Sequence, residues 1–445
     1  MTRSLLTVSL VAALALSLSA CGAGKPAPQP TATCPSAAPV TTLPAPVGNP
    51  GPGQVRWSVL LDRCAGAARS AFSDIRSQEI GTVGPGNELI LDLNGTISRF
   101  DLSTGARSWQ RKVVAPAAAS DFDRVEATSD LVLVTLTARS DDNKFTFLDA
   151  RTGAPLGALG QDLGGLAELV GGHVVISAHG TVSGYDPRTG KTGWQVKYTR
   201  PPDDPYSNEV AHDDTTLYLE PPGGASGEIM RIDAATGHRL PPLRLPAAAG
   251  LTPSRIELFG AAQGRLVLDE YGTTRTSAPP GGTGVYQVVR GVAVDTRTGA
   301  LAWSRPGQIT IADSGPFTDY GDDGAYTAID PRTGRPTWTI AGNALDTGPG
   351  RYNVEPLADH LVQAAEGGAD LSEDPGRLLG VPPAGFAKAH PAWRSAALPR
   401  PQLVAADQRT AVVTTCDAWG NPVNPAGCAD RELVGIALTQ PQAGR

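Results

Sequence analysis

A short motif that recurs six times is the feature that most restricts what this chain can fold into. Each copy has an Asp, a Thr three residues later and a Gly directly after that Thr, as in Asp330, Thr333 and Gly334. Four copies also carry a Trp eight residues after the Asp. The aspartates are Asp101, Asp149, Asp186, Asp233, Asp295 and Asp330, the glycines are Gly105, Gly153, Gly190, Gly237, Gly299 and Gly334, and the tryptophans are Trp109, Trp194, Trp303 and Trp338. Such repetition indicates a fold built from one small unit used many times.

The residues around each Asp predict β-strands joined by tight turns. Runs such as residues 96–100 and 325–329 can alternate between two faces, and a turn signal such as Asn94-Gly95 precedes the Asp by about six residues. The Asp carboxylate can accept hydrogen bonds from the N–H groups ahead of it, and the Gly can adopt the left-handed conformation that closes a hairpin. The Trp then begins the next strand. Each unit is therefore expected to be a meander of antiparallel strands.

The spacing of the motifs predicts a β-propeller. Consecutive motif threonines are 48, 37, 47, 62 and 35 residues apart, which leaves room for one four-stranded antiparallel sheet, or blade, per unit. The repeat resembles that of the quinoprotein-like β-propellers, which couple a strand ending in Asp, a Thr-Gly turn and a docking Trp. This resemblance extends from about Val55 onward and implies an all-β propeller. It does not by itself imply a function.

The blade count and the closure of the ring depend on the weaker parts of the pattern. Six motifs, a degenerate unit over residues 359–393 and a blade shared by the two termini predict eight blades, with seven as the alternative. Residues 54–62, which contain Trp57, resemble the strand after a motif turn, whereas residues 432–438 resemble the strand before one. We expect the N-terminal strand to complete the last blade and close the ring. The alternative places Trp57 in the core of an N-terminal cap.

The N-terminal residues predict export and a lipid anchor. Residues 1–20 combine Arg3, an apolar run over residues 5–16 and small residues directly before Cys21. This arrangement resembles a bacterial lipoprotein signal peptide, whose cysteine is lipidated and becomes the first mature residue. The alternative is an ordinary secretory signal cleaved near Ala20. The resemblance implies a protein anchored by lipid on the extracytoplasmic face of a cell membrane.

Two further segments follow the signal peptide. Residues 21–53 are rich in Pro, Ala, Gly and Thr and carry almost no charge, so they are expected to form an extended tether. Residues 54–445 are expected to form the propeller. The tether would hold this body away from the membrane.

Four cysteines remain after Cys21, and they suggest two disulfides in an exported chain. Three pairings of Cys34, Cys64, Cys416 and Cys428 are possible. A Cys416–Cys428 bridge would stiffen the loop between them, and a Cys34–Cys64 bridge would fix the end of the tether to the first blade. A metal site is the competing interpretation, but no Cys-x-x-Cys or matching His spacing supports it.

The sequence contains no familiar catalytic constellation. It has no P-loop, no Gly-x-Ser-x-Gly elbow and no His-Glu-x-x-His motif, and its six histidines are scattered, with surface or loop positions expected. Asp319, Asp322 and Asp323 could bind Ca²⁺, but their spacing differs from that of an EF-hand and favours a solvated hairpin end. The net charge of −7 with both signs interspersed indicates no nucleic-acid surface. We therefore expect no metal and no cofactor.

Three classes of function remain. The chain resembles lipoprotein propellers that assist envelope assembly and the propeller sensor domains of bacterial surface proteins, which implies a binding or scaffold role with protein partners. A small-ligand or glycan sensor that uses the central channel is the alternative. A pyrroloquinoline-quinone dehydrogenase shares the repeat, but that family stacks its quinone over two adjacent cysteines, and this chain has no such pair. The sequence thus favours a monomeric, non-catalytic binding propeller.

Overall fold

The computed structural model describes the greater part of the chain from residue 50 onward. The described residues are 50–63, 80–84, 86–93, 96–113, 119–138, 143–159, 165–178, 180–198, 210–219, 227–245, 256–273, 286–307, 309–311, 317–320, 325–340, 354–356, 361–365, 377–381, 393–395, 398, 401–407, 409–419 and 428–438. Cys21, Cys34 and Cys64 lie outside these ranges. Within the ranges, regular structure is β, and no helix has the length and apolar character needed to cross a membrane.

The described residues form 32 β-strands. The first half of the chain contains β1 (Val55–Arg63), β2 (Ile80–Gly84), β3 (Glu88–Leu93), β4 (Thr96–Asp101), β5 (Arg107–Lys112), β6 (Ala119–Ala127), β7 (Leu131–Ala138), β8 (Asn143–Asp149), β9 (Pro155–Leu159), β10 (Gly165–Val170), β11 (His173–Ala178), β12 (Thr181–Asp186), β13 (Lys191–Lys197), β14 (Ala211–His212), β15 (Thr216–Leu219), β16 (Glu228–Asp233) and β17 (Arg239–Arg244). The second half contains β18 (Ile256–Ala262), β19 (Arg265–Thr273), β20 (Tyr286–Asp295), β21 (Leu301–Pro306), β22 (Ile309–Ile311), β23 (Phe317–Tyr320), β24 (Tyr326–Ile329), β25 (Pro336–Ile340), β26 (Val354–Pro356), β27 (Leu361–Ala365), β28 (Arg377–Val381), β29 (Trp393–Arg394), β30 (Gln402–Ala406), β31 (Thr410–Trp419) and β32 (Cys428–Ala437).

These strands pair into eight four-stranded antiparallel sheets, which confirms the all-β propeller. Blades 1 to 7 are β2–β5, β6–β9, β10–β13, β14–β17, β18–β21, β22–β25 and β26–β29, each with its strands in chain order, and blade 8 is β30–β32 completed by β1. The sheet count is thus the higher of the two that the sequence left open. The degenerate unit forms blade 7, and its strands β27, β28 and β29 lie where the weakened pattern placed them.

The first strand of each blade lies innermost and the fourth lies at the rim. First strands of neighbouring blades contact one another, as β2 does with β6 and with β30, and β14 with β18. In the fourth strand β5, every side chain except that of Trp109 is exposed. The first strands therefore surround the axis of the ring, where residues distant in sequence meet.

Hydrophobic contacts between neighbouring blades hold the ring together. In β3, Leu89 and Leu91 pack with residues of blade 8, whereas Ile90, on the opposite face, packs with Val132 of blade 2. Because side chains of a strand alternate between faces, a strand between two blades must be apolar on both. Seven such clusters of described residues join neighbouring blades, including blade 7 to blade 8 and blade 8 to blade 1.

The N-terminal strand closes the ring. Strand β1 pairs antiparallel with β32, the last strand of the chain, with Trp57 opposite Gly435. The Trp57 side chain is buried and its Nε1–H donates to the carbonyl of Leu102 in blade 1, at 2.7 Å. Trp57 thus joins blade 8 to blade 1, and the interpretation of Trp57 as part of a separate cap is excluded.

The strand register places two of the cysteines apart. Cys416 lies opposite Arg431, and Cys428 lies opposite Trp419. An offset of three residues corresponds to about 10 Å along a strand, whereas a disulfide joins Cα atoms no more than about 7 Å apart. A Cys416–Cys428 bridge would therefore require these strands to slide, and the pairing of the cysteines stays a prediction.

Candidate functional site

The motif aspartates cap their own turns. In each of the six turns the Gly N–H donates to the Asp carbonyl at 2.8–2.9 Å, and the Gly has a φ of 67–72°. In the Asp149 turn, Oδ1 also accepts from the N–H of Arg151 and from the N–H and hydroxyl of Thr152, at 3.1, 2.9 and 2.8 Å. These carboxylates are therefore engaged in local turn geometry.

Hydrogen bonds within the turns lower the pKa of all six carboxyl groups. The largest cause is the Ser103 hydroxyl for Asp101 and the motif Thr hydroxyl for three others, Asp149, Asp186 and Asp233. For Asp330 it is the N–H of Arg332. Desolvation is the largest influence on the pKa of Asp295 and acts upward, but hydrogen bonds from Thr298 and its neighbours outweigh it. All six groups favour the ionised state, which accepts hydrogen bonds and suits a cap.

The tryptophans dock on the turns of the following blade. The indole N–H of Trp109 donates to the carbonyl of Ala150, and that of Trp303 donates to the carbonyl of Pro331, each at 2.8 Å. The indole ring lies over the motif glycine of the same turn, so a Cβ on Gly153 would lie 2.7 Å from Trp109. Trp57 and Trp194 cover Gly105 and Gly237 in the same way. The repeat residues thus build the joints between blades and lie far from one another around the ring.

Near the axis of the ring, the structure brings together residues that do not belong to the repeated motif. Arg124 and Glu126 belong to β6, Glu168 to β10 and His212 to β14, which are the first strands of blades 2, 3 and 4. Arg124 Nε lies 3.1 Å from Glu126 Oε1, and its Nη1 lies 3.4 Å from Glu168 Oε1. We call these four residues the inner cluster. It is the candidate functional site because it gathers ionisable groups from three blades.

Glu126 also accepts a hydrogen bond from the edge strand of the neighbouring blade. Its Oε2 accepts a hydrogen bond from the N–H of Leu169 in β10, at 2.8 Å. Strand β10 pairs with β11 on one side only, so N–H groups on its other side need partners from outside its own sheet. Glu126 thus holds blade 2 against blade 3 through this backbone contact, beside the Arg124–Glu168 ion pair that links the same two blades.

Burial dominates the electrostatics of the inner cluster. Desolvation raises the pKa of Glu126 to about 6, although the Arg124 charge and the Leu169 N–H act in the opposite direction. Desolvation likewise lowers the pKa of His212, against a weaker upward effect of the Asp213 carbonyl and of Glu126. Both shifts favour the neutral forms. The cluster can therefore gain or lose a proton in mildly acidic solution.

We expect Glu126→Gln to stabilise the protein above pH 6. The folded-state pKa of about 6 exceeds the model-compound value of 4.5, so ionised Glu126 costs stability at neutral pH, and that cost disappears as the pH falls below 4.5. The difference of about 1.5 pKa units corresponds to about 2 kcal/mol. Urea unfolding at pH 7.5 and pH 4.5 measures the effect, which should be almost complete at the first pH and reduced to a few tenths of a kcal/mol at the second.

The control for this prediction is a nearby carboxylate outside the cluster. Asp130 makes an exposed ion pair with Arg151, and its removal should change stability little. Equal unfolding midpoints for wild type and Glu126→Gln at pH 7.5 would contradict the prediction, as would an equal gain at both pH values.

Pyrroloquinoline quinone, which the repeat family implies, does not fit the residues described. In that family the quinone lies on two adjacent cysteines and beside a Ca²⁺ ion, whereas this sequence contains no adjacent cysteine pair. Within the described ranges, no three or more His, Cys, Asp or Glu side chains are placed to hold a metal ion. The carboxylates of Glu126 and Glu168 both face Arg124, which offsets their charge.

The sequence identified the turn and joint residues but not the inner cluster. His212 was expected at the surface or in a loop, yet it lies in a strand and is largely buried, because β14 faces the ring axis. Asp319 lies in β23, where it pairs with Arg305 at 3.6 Å, and Asp322 and Asp323 lie outside the described residues. The one available signal for the cluster was a charged residue within an otherwise apolar first strand, as Glu168 is in β10.

Comparison with known proteins gives one family match. Residues 93–340, more than half of the chain, match the family described as outer membrane protein assembly factor BamB. No curated protein matches significantly.

Solved structures of similar shape include three that differ in origin. BamB from Moraxella catarrhalis has 18% identity and a TM-score of 0.45, and the match covers 82% of this chain and 99% of that one. The computationally designed Ika8 protein has 14% identity and a TM-score of 0.46, covering 81% and 97%. Quinohemoprotein alcohol dehydrogenase ADHIIG from Pseudomonas putida HK5 has 12% identity and a TM-score of 0.43, covering 88% and 77%.

Proposed function

Because the chain belongs to the family of the outer membrane protein assembly factor BamB, we propose that it is a lipid-anchored, non-catalytic propeller that binds protein partners on the extracytoplasmic face of a membrane. The observation that carries the proposal is that the repeated Asp and Trp residues have structural roles. The motif aspartates cap turns and the tryptophans join blades, so the repeat builds a rigid ring. A rigid ring with loops on two faces suits binding.

The inner cluster supports binding rather than a reaction. A catalytic acid or base needs free access to its substrate, whereas Glu126 already faces Arg124 and accepts from the N–H of Leu169. The contact with Arg124 joins two residues of β6, and the contact with Leu169 joins blade 2 to blade 3. Both give the cluster a role in the geometry of the ring.

The N-terminal segment supports the lipid anchor. A lipid on Cys21 and a Pro/Ala-rich tether over residues 21–53 would hold the ring near a membrane while leaving its faces accessible. A single anchored body of this kind meets membrane-associated partners at high local concentration. We propose that the protein is a monomer whose partners lie in the cell envelope.

Co-purification from the native host tests the proposal. Affinity-tagged full-length protein is cross-linked in intact cells and isolated from the membrane fraction, beside a Cys21→Ser variant of the same chain. We expect at least one protein partner to be recovered in near-stoichiometric amount with the wild type. The Cys21→Ser variant should leave the membrane fraction, because it lacks the thiol that carries the lipid.

Two results would refute the proposed function. One is the failure to recover any reproducible partner after cross-linking. The other is stoichiometric binding of pyrroloquinoline quinone with Ca²⁺ in a spectroscopic titration, which would indicate a dehydrogenase. Retention of the Cys21→Ser variant in the membrane fraction would refute the anchor alone.

A further inference from the structure

The proposed tether joins the ring at the same face as the motif turns. A motif turn lies where the third strand of a blade ends and its fourth strand begins. In blade 8 these strands are β32 and β1, and residues 50–54 lie at their junction, where the Gly53 N–H donates to the Ala437 carbonyl at 2.8 Å. A lipid on Cys21 would therefore hold the ring from this side, which we call the turn face.

Arginine recurs on the turn face at a position where the turn does not require its side chain. The residue two positions after the motif Asp is an exposed Arg in four of the six repeats, namely Arg151, Arg188, Arg297 and Arg332. Each of these residues caps its turn through its N–H, which donates to the Asp carboxylate. In blade 1 the N–H of Ser103 does the same, at 2.9 Å. The turns therefore account for the backbone of these arginines but not for their guanidinium groups.

The positive charge is greatest on the neighbouring turns of blades 5 and 6. Arg265 already forms an ion pair with the motif carboxylate of blade 5, at 2.9 Å, so Arg297 adds a further positive charge to that turn. In blade 6, the exposed Arg332 and Arg335 accompany one motif carboxylate, that of Asp330. We call Arg297, Arg332 and Arg335 the basic patch.

Other turns on this face are closer to neutral. In blade 2, Arg151 forms an exposed ion pair with Asp130 at 3.0 Å, and the motif turn of blade 4 has Ala235 in place of the Arg. The turns between first and second strands lie nearer the axis and carry exposed carboxylates such as that of Asp214. The basic patch is thus a local feature of the outer half of the turn face.

An anionic membrane surface fits the position and the shape of the basic patch. Its three cations lie on protruding turns of two blades, so they can meet several headgroups of a flat surface at once. Lys and Arg side chains close to anionic lipids are attracted to the negative surface potential. A basic surface on the side of a lipid anchor adds a second attachment to the same membrane.

We propose that the basic patch contacts anionic lipid headgroups of the membrane that holds the anchor, so that the turn face of the ring faces this membrane. The inference rests on the lipid anchor of the proposed function and adds an orientation to it. Protein partners then bind at the rim or at the opposite face.

Vesicle binding by a chain without the lipid tests the patch by itself. The purified Cys21→Ser chain is sedimented with vesicles of phosphatidylcholine alone or with about one third phosphatidylglycerol, at low salt. We expect tighter binding to the anionic vesicles. Arg297→Glu combined with Arg332→Glu should weaken that binding about fivefold or more, because both side chains then repel the headgroups while their N–H groups still cap the turns.

A second double variant controls for net charge. Arg111→Glu combined with Lys112→Glu makes the same change in charge at two exposed residues of β5. Lys112 pairs with Thr96, at the end of the blade away from the motif turn. Binding to anionic vesicles should stay within about twofold of the parent chain. Equal urea midpoints for all three chains verify that the folds are intact.

The outcomes separate this inference from the proposed function. Equal binding of the Cys21→Ser chain to both kinds of vesicle overturns the inference, as do equal losses in the two double variants. In cells, the lipid-anchored chain with Arg297→Glu and Arg332→Glu should still capture the wild-type partner. If this variant loses the partner and its Cys21→Ser form still binds anionic vesicles, the patch binds a protein and the inference is wrong. If the wild type captures no partner, the proposed function fails, and the vesicles still decide the orientation.

Discussion

Trp57→Ala should lower the free energy of unfolding by about 4 kcal/mol, the cost of removing a large buried aromatic side chain. Trp57 is 4% exposed and packs with Leu89 and Phe100 of blade 1 and with Leu433 of blade 8. It also donates to the Leu102 carbonyl. Because the first strand, β1, is held to the last strand, β32, by pairing alone within blade 8, loss of the Trp57 contacts weakens the hold on β1 and opens the ring. Urea unfolding followed by circular dichroism measures the change.

Trp109→Ala is the matched control for ring closure. Trp109 makes the equivalent contact at 2.8 Å with the Ala150 carbonyl, but its strand β5 belongs to a blade formed by one continuous stretch of chain, β2–β5. We expect a smaller loss of stability and no release of the N-terminal strand. In Trp57→Ala, by contrast, limited proteolysis should cleave within residues 54–63 first. Equal losses in the two variants, with equal protection of β1, would show that Trp57 has no special role in closure.

Gly153→Ala should destabilise the protein by about 3 kcal/mol, well beyond the effect of backbone conformation alone. At a φ of 68° a Cβ costs about 1 kcal/mol in any protein. Here the Cβ would also lie 2.7 Å from the ring of Trp109, so the indole must leave its position and the packing of the joint is strained. The thermal midpoint and the urea midpoint should both fall.

Gly227→Ala separates the two contributions. Gly227 has a similar φ of 62°, but a Cβ there would meet no atom of the described part of the chain within 4 Å. Its substitution should cost only about 1 kcal/mol. A Gly153→Ala variant as stable as Gly227→Ala would mean that the indole does not lie on the motif turn. A double variant, Gly153→Ala with Trp109→Ala, should recover part of the loss, because the clash is then absent.

The motif made most of the fold predictable because its information is local. A capped Asp turn, a left-handed Gly and alternating apolar residues act within a few residues of one another. The strand that ends directly before Asp330 and the strand containing Trp338 therefore follow from the sequence. The count of eight sheets was less certain, since blade 7 has lost its Thr-Gly turn and its short strand β29 contains only Trp393 and Arg394.

The inner cluster could not be predicted for a physical reason. Arg124, Glu168 and His212 are each separated by more than 40 residues from the next, and they meet only because first strands of neighbouring blades line one axis. The face of the sheet on which these side chains lie also depends on the register of the strands. Strand β6 shifts register between Phe122 and Arg124, which changes the face that later residues of this strand present.

The sequence by itself determined the repeating unit, because turn chemistry and two-residue alternation depend only on neighbouring residues. It also shows that two repeats have Gly157 and Pro241 where the other four have Trp. Only the tertiary structure decided the consequences: the backbone at Arg244 lies against Gly299 at one of these joints, and Gly157 lies against the Pro187 carbonyl at the other. Such contacts join residues of different blades, and their distances are set by how whole sheets pack around the ring, which no local pattern encodes.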